Sequence, residues 1–228
     1  MLNLTNVTLS AIDCVHPGRT LAVLEYCMRL VDFGSVVLLT DTARWAPQYF
    51  EPQLPRLKVI HHTEKTRQDY EHSVHREPVK FLTTDYLLHV EWDSGLLNCE
   101  AWTDEFLKYD YIGAPWPRQE FVGWPKSDAS NSVGNGGFTL KSKKWCEVIA
   151  ELSLQAGNHP STMISDVWAC RTMRPELERR GIKFATENVA ARFSCENRIY
   201  SGQFGFHGKN TIAMNNWRGI WDESLYLH

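Results

Sequence analysis

The 228-residue chain predicts an α/β fold on a mostly parallel sheet, with helices on both faces and a Rossmann-like alternation. Three observations carry this. Short apolar runs alternate with segments of helical period. The runs are apolar almost throughout, as in strands covered on both faces. No internal repeat or low-complexity linker interrupts the order, so one domain is expected over residues 1–228.

Val7-Thr8-Leu9-Ser10-Ala11-Ile12 reads as the first strand. Pro17-Gly18 then opens a helix whose apolar positions Leu21, Leu24, Met28 and Val31 recur at helical spacing, with Phe33-Gly34 expected to end it. Ser35 to Thr40 and Leu57 to Ile60 read as the next strands, and Tyr86 to Val90 as a buried strand ending in Glu91-Trp92-Asp93-Ser94. From Tyr109 to Ser132 the chain becomes rich in Pro, Gly, Trp and Tyr and reads as a long ordered loop, a length usually tied to function. Phe138 to Ser142 is a further strand. Asp166 falls at the start of a helix capped by Ser165 or Ser161, a position that favours an ionised carboxylate.

Composition narrows the classes. A hydrophobic content of 43% supplies a core, and a net charge of −3 argues against a nucleic-acid binder acting through its whole surface. The six cysteines are scattered without metal-binding spacing and read as reduced thiols of a cytoplasmic protein. The N-terminus does not read as a signal peptide, and no run approaches membrane-spanning length.

Four constellations carry chemistry. Glu91 and Asp93 stand at i and i+2 just past a strand's carboxyl end, where open α/β sheets bind ligands, and such a pair can hold a hard divalent cation through oxygen. Asp110 to Pro117 is a strand running into a proline-fixed turn that presents Trp116, whose indole can stack on a sugar or a base. Gly134-Asn135-Gly136-Gly137 lacks the Lys-Ser/Thr pair of a P-loop and reads as a place of close backbone approach before a strand. Phe204 to Gly208 sets His207 between glycines.

In this order the motifs resemble a bacterial and viral family of glycosyltransferase-like proteins catalogued as a domain of unknown function. Its members read approximately Gln-Trp-Asp-Gly, Asp-Tyr-Ile-Gly-Ala-x-Trp, Gly-Asn-Gly-Gly-Phe-Ser-Leu-Arg-Ser, Glu-Asp and Phe-Gly-Phe-His-Gly. The resemblance runs from Val7 to His207 and also looks like inverting, metal-dependent transferases of the A-type fold. It implies a nucleotide-sugar donor, a UDP-sugar foremost, and a Mn²⁺ or Mg²⁺ ion held by Asp93, His207 and Glu91 that neutralises the departing diphosphate. It implies Asp166 as the base that takes the acceptor hydroxyl's proton. Ile12, Asp13, Thr40 and Asp41 would cradle the nucleoside, Glu91, Trp92 and Trp116 would contact the donor, and Gly136 and Gly137 would let the backbone approach its sugar. The chain departs from the pattern at Glu91, Ser94, Lys141 and Ser165, which stand for Gln, Gly, Arg and Glu.

Residues 1–95 are then expected to form the nucleotide-sugar half, 96–210 the acceptor and catalytic half, and 211–228 a tail. A glycan precursor is the expected acceptor, in a bacterial cytoplasm or a virus-infected cell. The alternative is DNA carrying a hydroxylated base, met by Lys141, Lys143, Lys144, Arg171, Arg174, Arg179, Arg180 and Lys183, with Trp116, Phe121 or Trp124 stacking on a flipped base. A non-catalytic binding module on the same fold is the third reading.

Overall fold

The computed structural model describes residues 1–45, 56–116, 132–155 and 164–217. Its frame is a six-stranded sheet. Strand β1 (Leu2–Ile12) lies between β2 (Val31–Thr40) and, on its other side, β4 (Tyr86–Val90), while β3 (Leu57–His61) flanks β2. These four are parallel, with Leu9 opposite both Val36 and Leu88. The sheet then reverses direction. Two later strands complete it: β6 (Tyr111–Ile112) at the edge and β7 (Phe138–Ser142), which runs antiparallel between β4 and β6.

Between β1 and β2, α1 (Pro17–Leu30) opens with proline in its first turn, where the missing N–H costs nothing. It buries Thr20, Val23, Leu24 and Cys27, one stripe at helical spacing, against Leu9, Ala11, Leu38 and Leu88. The helix ends at Leu30, three residues before the expected Phe33-Gly34, and Val31 already belongs to β2. Gly34 has another reason to be glycine: a Cβ there would stand 2.1 Å from the Thr5 carbonyl oxygen, beside the register shift between β1 and β2.

The opposite face is covered by α2 (Arg67–Arg76), the short α3 (Pro78–Phe81) and α4 (Lys143–Gln155). Val74 of α2 packs on Ile12, Val37 and Leu39, and α4 sets Trp145, Cys146 and Ile149 on Leu87 and Tyr111. Because strand side chains alternate, Leu87 and Leu88 serve different cores. All six cysteines are free thiols, and burial pushes those of Cys27, Cys146 and Cys170 up to about 12. No helix among the described residues is long and apolar enough to cross a membrane.

A second, three-stranded sheet closes the carboxyl end of the first. It is formed by β5 (Ser94–Leu96), β8 (Ser194–Glu196) and β9 (Gly205–His207), with β9 in the middle. Between β5 and β8 come α5 (Ser165–Val167), a π-helical turn over Trp168–Thr172, α6 (Arg174–Arg179) and α7 (Glu187–Phe193), and α8 (Lys209–Met214) follows β9. None of these three strands was singled out as a strand from the sequence. Pro115 bridges Val133, and the backbone N–H of Trp116 donates to the Ser132 carbonyl at 2.7 Å, closing the base of the predicted loop. Phe121 and Trp124 lie outside the described residues, as does Ser161.

Candidate active site

Where β4 ends, a tight turn converts strand order into a side-chain cluster. Glu91 donates its N–H to the Gly137 carbonyl at 3.0 Å, and Ser94 closes the turn with its N–H on the Glu91 carbonyl at 3.1 Å. The Ser94 hydroxyl accepts from the Glu91 N–H at 2.8 Å and donates to its carbonyl at 2.9 Å, a local use of serine where the family pattern has glycine. Ser94 then enters β5 opposite His207 of β9. The Gly208 N–H donates to the Asp93 carbonyl at 2.9 Å. Sheet register therefore brings together residues more than a hundred positions apart.

The result is a trio. One donor atom each from Glu91, Asp93 and His207 fits within a span of 4.8 Å. Nε2 of His207 stands 3.5 Å from Oε2 of Glu91 and 3.7 Å from Oδ1 of Asp93. Asp93 is 8% exposed, and its Oδ1 is buried without a hydrogen-bond partner. An orphaned buried carboxylate oxygen is costly unless something pairs it. Two carboxylates and an imidazole are a donor set that Mn²⁺ accepts, so these residues fit the cation that the sequence implies.

Charge in the trio is shared unequally. Burial opposes ionisation of Glu91, but the hydrogen bond and charge of His207 outweigh it and hold this carboxyl well below the usual range; the Tyr70 hydroxyl donates to its other oxygen. Burial raises Asp93. For His207 burial is again opposed, by Glu196, Glu91 and Asp93, and the imidazole is raised well above its ordinary value. The surrounding carboxylates thus favour the protonated ring. The other ring nitrogen, Nδ1, faces Oε1 of Glu196 at 3.1 Å and Nδ2 of Asn135 at 2.9 Å.

Asp166 lines the same cavity as Glu91 and His207. Its Oδ2 accepts from the Gly136 N–H at 2.9 Å and its Oδ1 from the Val167 N–H at 2.7 Å. The residue before it is gripped by α2: Glu71 accepts from the Ser165 N–H at 2.7 Å, and Nε2 of His75 meets the Ser165 carbonyl at 3.1 Å. The helix start carries no side-chain cap, and its cap residue is Ile164. Burial, with help from Glu196 and Glu71, pushes Asp166 up to about 7 despite the two N–H donors. The expected preference for the ionised form at a helix start is thus offset by desolvation.

The glycines serve the site's own side chains. A Cβ on Gly137 would stand 2.1 Å from Nε2 of His207, one on Gly136 3.0 Å from Cβ of Asp166, and one on Gly134 2.3 Å from the Trp116 ring. The expectation had Gly136 and Gly137 yielding space to a sugar. They yield it first to the imidazole and the carboxylate.

Two recesses meet at Arg67, Tyr70 and Glu91. The inner one, about 240 Å³, holds Glu91, His207, Asp166, Gly136, Gly137 and Trp116. The outer one, about 380 Å³, is lined by Ile12, Asp13, Glu91 and Trp92, with Arg19 lying 4.0 Å and Lys209 4.9 Å over the Trp92 indole. Asp13 already accepts from the N–H groups of Val15 and His16 at 2.9 and 2.8 Å and from the Thr20 hydroxyl at 2.7 Å. Thr40 and Asp41 do not line it. Thr40 is buried with its hydroxyl on the Asp13 carbonyl at 2.7 Å, and Asp41 closes its own turn through the N–H groups of Ala43 and Arg44.

Sequence reasoning missed Tyr70, Glu71, His75, Asn135 and Glu196. Asn135 sat inside a motif already singled out, whereas α2 carried no visible signal. The basic residues expected to meet DNA are mostly engaged: Lys144 holds the Gly181 carbonyl, Arg174 pairs with Glu178, Arg179 and Arg180 with Glu176, and Arg171 lies over Trp116, while Lys141 is buried in the cavity lining without such a partner among the described residues.

A family model described as protein of unknown function (DUF5672) matches residues 60–207. No curated protein matches the sequence. Among solved structures, the apo-form glycosyltransferase GlyE of Streptococcus pneumoniae is 12% identical at a TM-score of 0.49, over 88% of this chain and 53% of that one. A glycosyltransferase involved in glycosylation of the major capsid of PBCV-1 is 10% identical at a TM-score of 0.47, over 90% and 93%. The 4-diphosphocytidyl-2C-methyl-D-erythritol synthase of Anaerococcus prevotii is 11% identical at a TM-score of 0.48, over 78% and 84%.

Proposed function

The chain belongs to the family of unknown function DUF5672, and we propose that it is a metal-dependent glycosyltransferase of the A-type fold that moves a sugar from a nucleotide donor to a hydroxyl acceptor. One observation carries the reading: the Glu91, Asp93 and His207 donor atoms converge within 4.8 Å at the carboxyl end of the sheet, beside a cavity that also holds Asp166.

Asp93, His207 and Glu91 would hold Mn²⁺ or Mg²⁺, which supplies charge to offset the diphosphate as it leaves. Tyr70 orients Glu91, and Glu196, by accepting from Nδ1, orients His207. The outer recess takes the nucleoside diphosphate. Arg19, Lys65 and Arg67 are the groups in its lining that could meet the phosphates, beside the carboxylates Asp13, Glu64 and Glu91, while Trp92 and Ile12 give it an apolar wall. The donor sugar then extends into the inner cavity beneath Gly136 and Gly137. Asp166, near 7, is poised to take a proton from the acceptor hydroxyl at neutral pH. Attack on the sugar carbon from the side opposite the departing diphosphate would invert the anomeric centre.

With the grouped basic residues mostly paired, a glycan precursor remains the favoured acceptor. The test is thermal stability against a panel of nucleotide sugars with Mn²⁺ or chelator, since a ligand that binds only the native state raises its stability. A shift confined to UDP-sugars with Mn²⁺ supports the reading. No shift with any donor contradicts it.

A further inference from the structure

The inner cavity contains a cation that the proposed chemistry does not use. Lys141 lies on β7, opposite Leu87 of β4 and Tyr111 of β6, and is 5% exposed. It lines the cavity. Among the described residues, the other charged side chains of the lining have partners. Glu71 has Arg67 and the Ser165 N–H, Glu91 has Tyr70, Asp166 has two N–H donors, and Glu196 has His207. Lys141 has neither a hydrogen bond nor an ion pair within that set. Beside it, two residues along β4 from Leu87 and on the same face, His89 is 3% exposed with Nε2 buried and unpartnered.

A buried ammonium with no carboxylate in hydrogen-bond contact is expensive, and the cost falls when an anion fills the space before it. Burial depresses Lys141, with the charges of Asp166 and Glu91, which line the same cavity, opposing. His89 lines the same cavity, and its buried, unpartnered Nε2 can serve an oxyanion as an N–H donor. Register sets Lys141 on the far side of His89 from the trio, His89 itself standing two residues before Glu91. Lys141 is four residues beyond Gly137, ~13 Å along the strand at the usual rise, and Asp166 contacts the chain at Gly136, near the start of that interval.

We propose that Lys141 and His89 form an oxyanion subsite at the inner end of the acceptor cavity, and that the acceptor is an acidic sugar unit bearing a carboxylate or a phosphate. The hydroxyl to be glycosylated lies at Asp166 while the oxyanion is seated on the Lys141 ammonium and the His89 N–H. The assignment of this cavity to the acceptor rests on the glycosyltransferase reading; the anion preference does not.

The experiment titrates glucose, glucuronate and glucose 6-phosphate into the protein by calorimetry, with Mn²⁺ and UDP present, for the wild type, Lys141→Met and Lys141→Arg. The wild type should bind at least one acid about tenfold to a hundredfold more tightly than glucose, the range of a charge-assisted hydrogen bond. The two acids distinguish carboxylate from phosphate. Lys141→Met should abolish the preference and Lys141→Arg keep part of it; should Lys141→Met not fold, Lys141→Gln replaces it. Equal binding of all three sugars, no binding of either acid, or a preference that survives Lys141→Met overturns the proposal. So does a Lys141→Met variant that weakens UDP with Mn²⁺ and leaves the sugar titrations unchanged, because the lysine then serves the donor. A wild type that discriminates the acids but ignores UDP and Mn²⁺ keeps the anion site and removes the glycosyltransferase reading.

Discussion

Asp166 is pulled in two directions. Two backbone N–H groups favour its carboxylate, while burial beside Glu196 and Glu71 disfavours it, and the outcome is a group near 7. An acid raised from its ordinary 3.8 binds its proton more tightly in the folded state, so its contribution to stability is complete below about 4 and is lost as pH rises through about 7. Activity should run the opposite way and climb through about pH 7 as the base ionises. A pH profile of single-turnover sugar transfer set beside a pH series of melting temperatures checks both slopes. Replacing Asp166 by Asn should lower kcat by roughly 10² to 10⁴ while donor affinity holds and the melting temperature at pH 8 stays level or rises. Lower stability with unaltered kcat would instead make Asp166 a structural residue. Gly137 gives a second test at this scale, since its Cβ would land on the His207 ring. Gly137→Ala should weaken Mn²⁺ binding, read by electron paramagnetic resonance, by roughly ten- to a hundredfold, the range for disturbed ligand support, with the fold retained.

Among the elements, α2 shows what sequence reading could and could not reach. Arg-Gln-Asp-Tyr-Glu-His-Ser-Val-His-Arg has almost no apolar stripe and would pass for a solvated surface helix. It nevertheless buries Glu71, Ser73, Val74 and His75, because much of what it covers is a polar cavity. Periodicity detects apolar cores, so the parallel strands and α1 were legible in outline. A polar helix roofing a site was not. For the same reason the three short strands of the second sheet escaped notice: each of β5, β8 and β9 is three residues long, too short for alternation to declare itself. Motif order placed Asp93, Glu91, His207 and Asp166 in one neighbourhood, yet Glu196, which faces the His207 ring, had no motif. Thr66 and Asp69 cap α2 reciprocally, and the helix grips Ser165. Glu71→Ala should therefore cost about 1 to 3 kcal/mol in urea unfolding, the range for a buried donor left unsatisfied. It should also lower kcat more than it weakens UDP binding. Unchanged kcat would separate α2 from the positioning of Asp166.

Across the whole molecule, the sheet's reversal at β7 and the small sheet capping its carboxyl end turn five separated motifs into one cleft. β4 delivers Glu91 and β9 delivers His207, and the paired register of Ser94 with His207 fixes their meeting. The outer and inner recesses meet at Glu91, the geometry expected if one cation bridges donor and chemistry. The most direct measurement is calorimetric titration of UDP into the wild type and Asp93→Asn, each with Mn²⁺ and again with excess chelator. The account predicts binding by the wild type with Mn²⁺, its loss on chelation, and an Asp93→Asn variant of unchanged melting temperature that binds at least about tenfold more weakly. UDP bound equally well by the wild type in chelator and by Asp93→Asn in Mn²⁺ would contradict it.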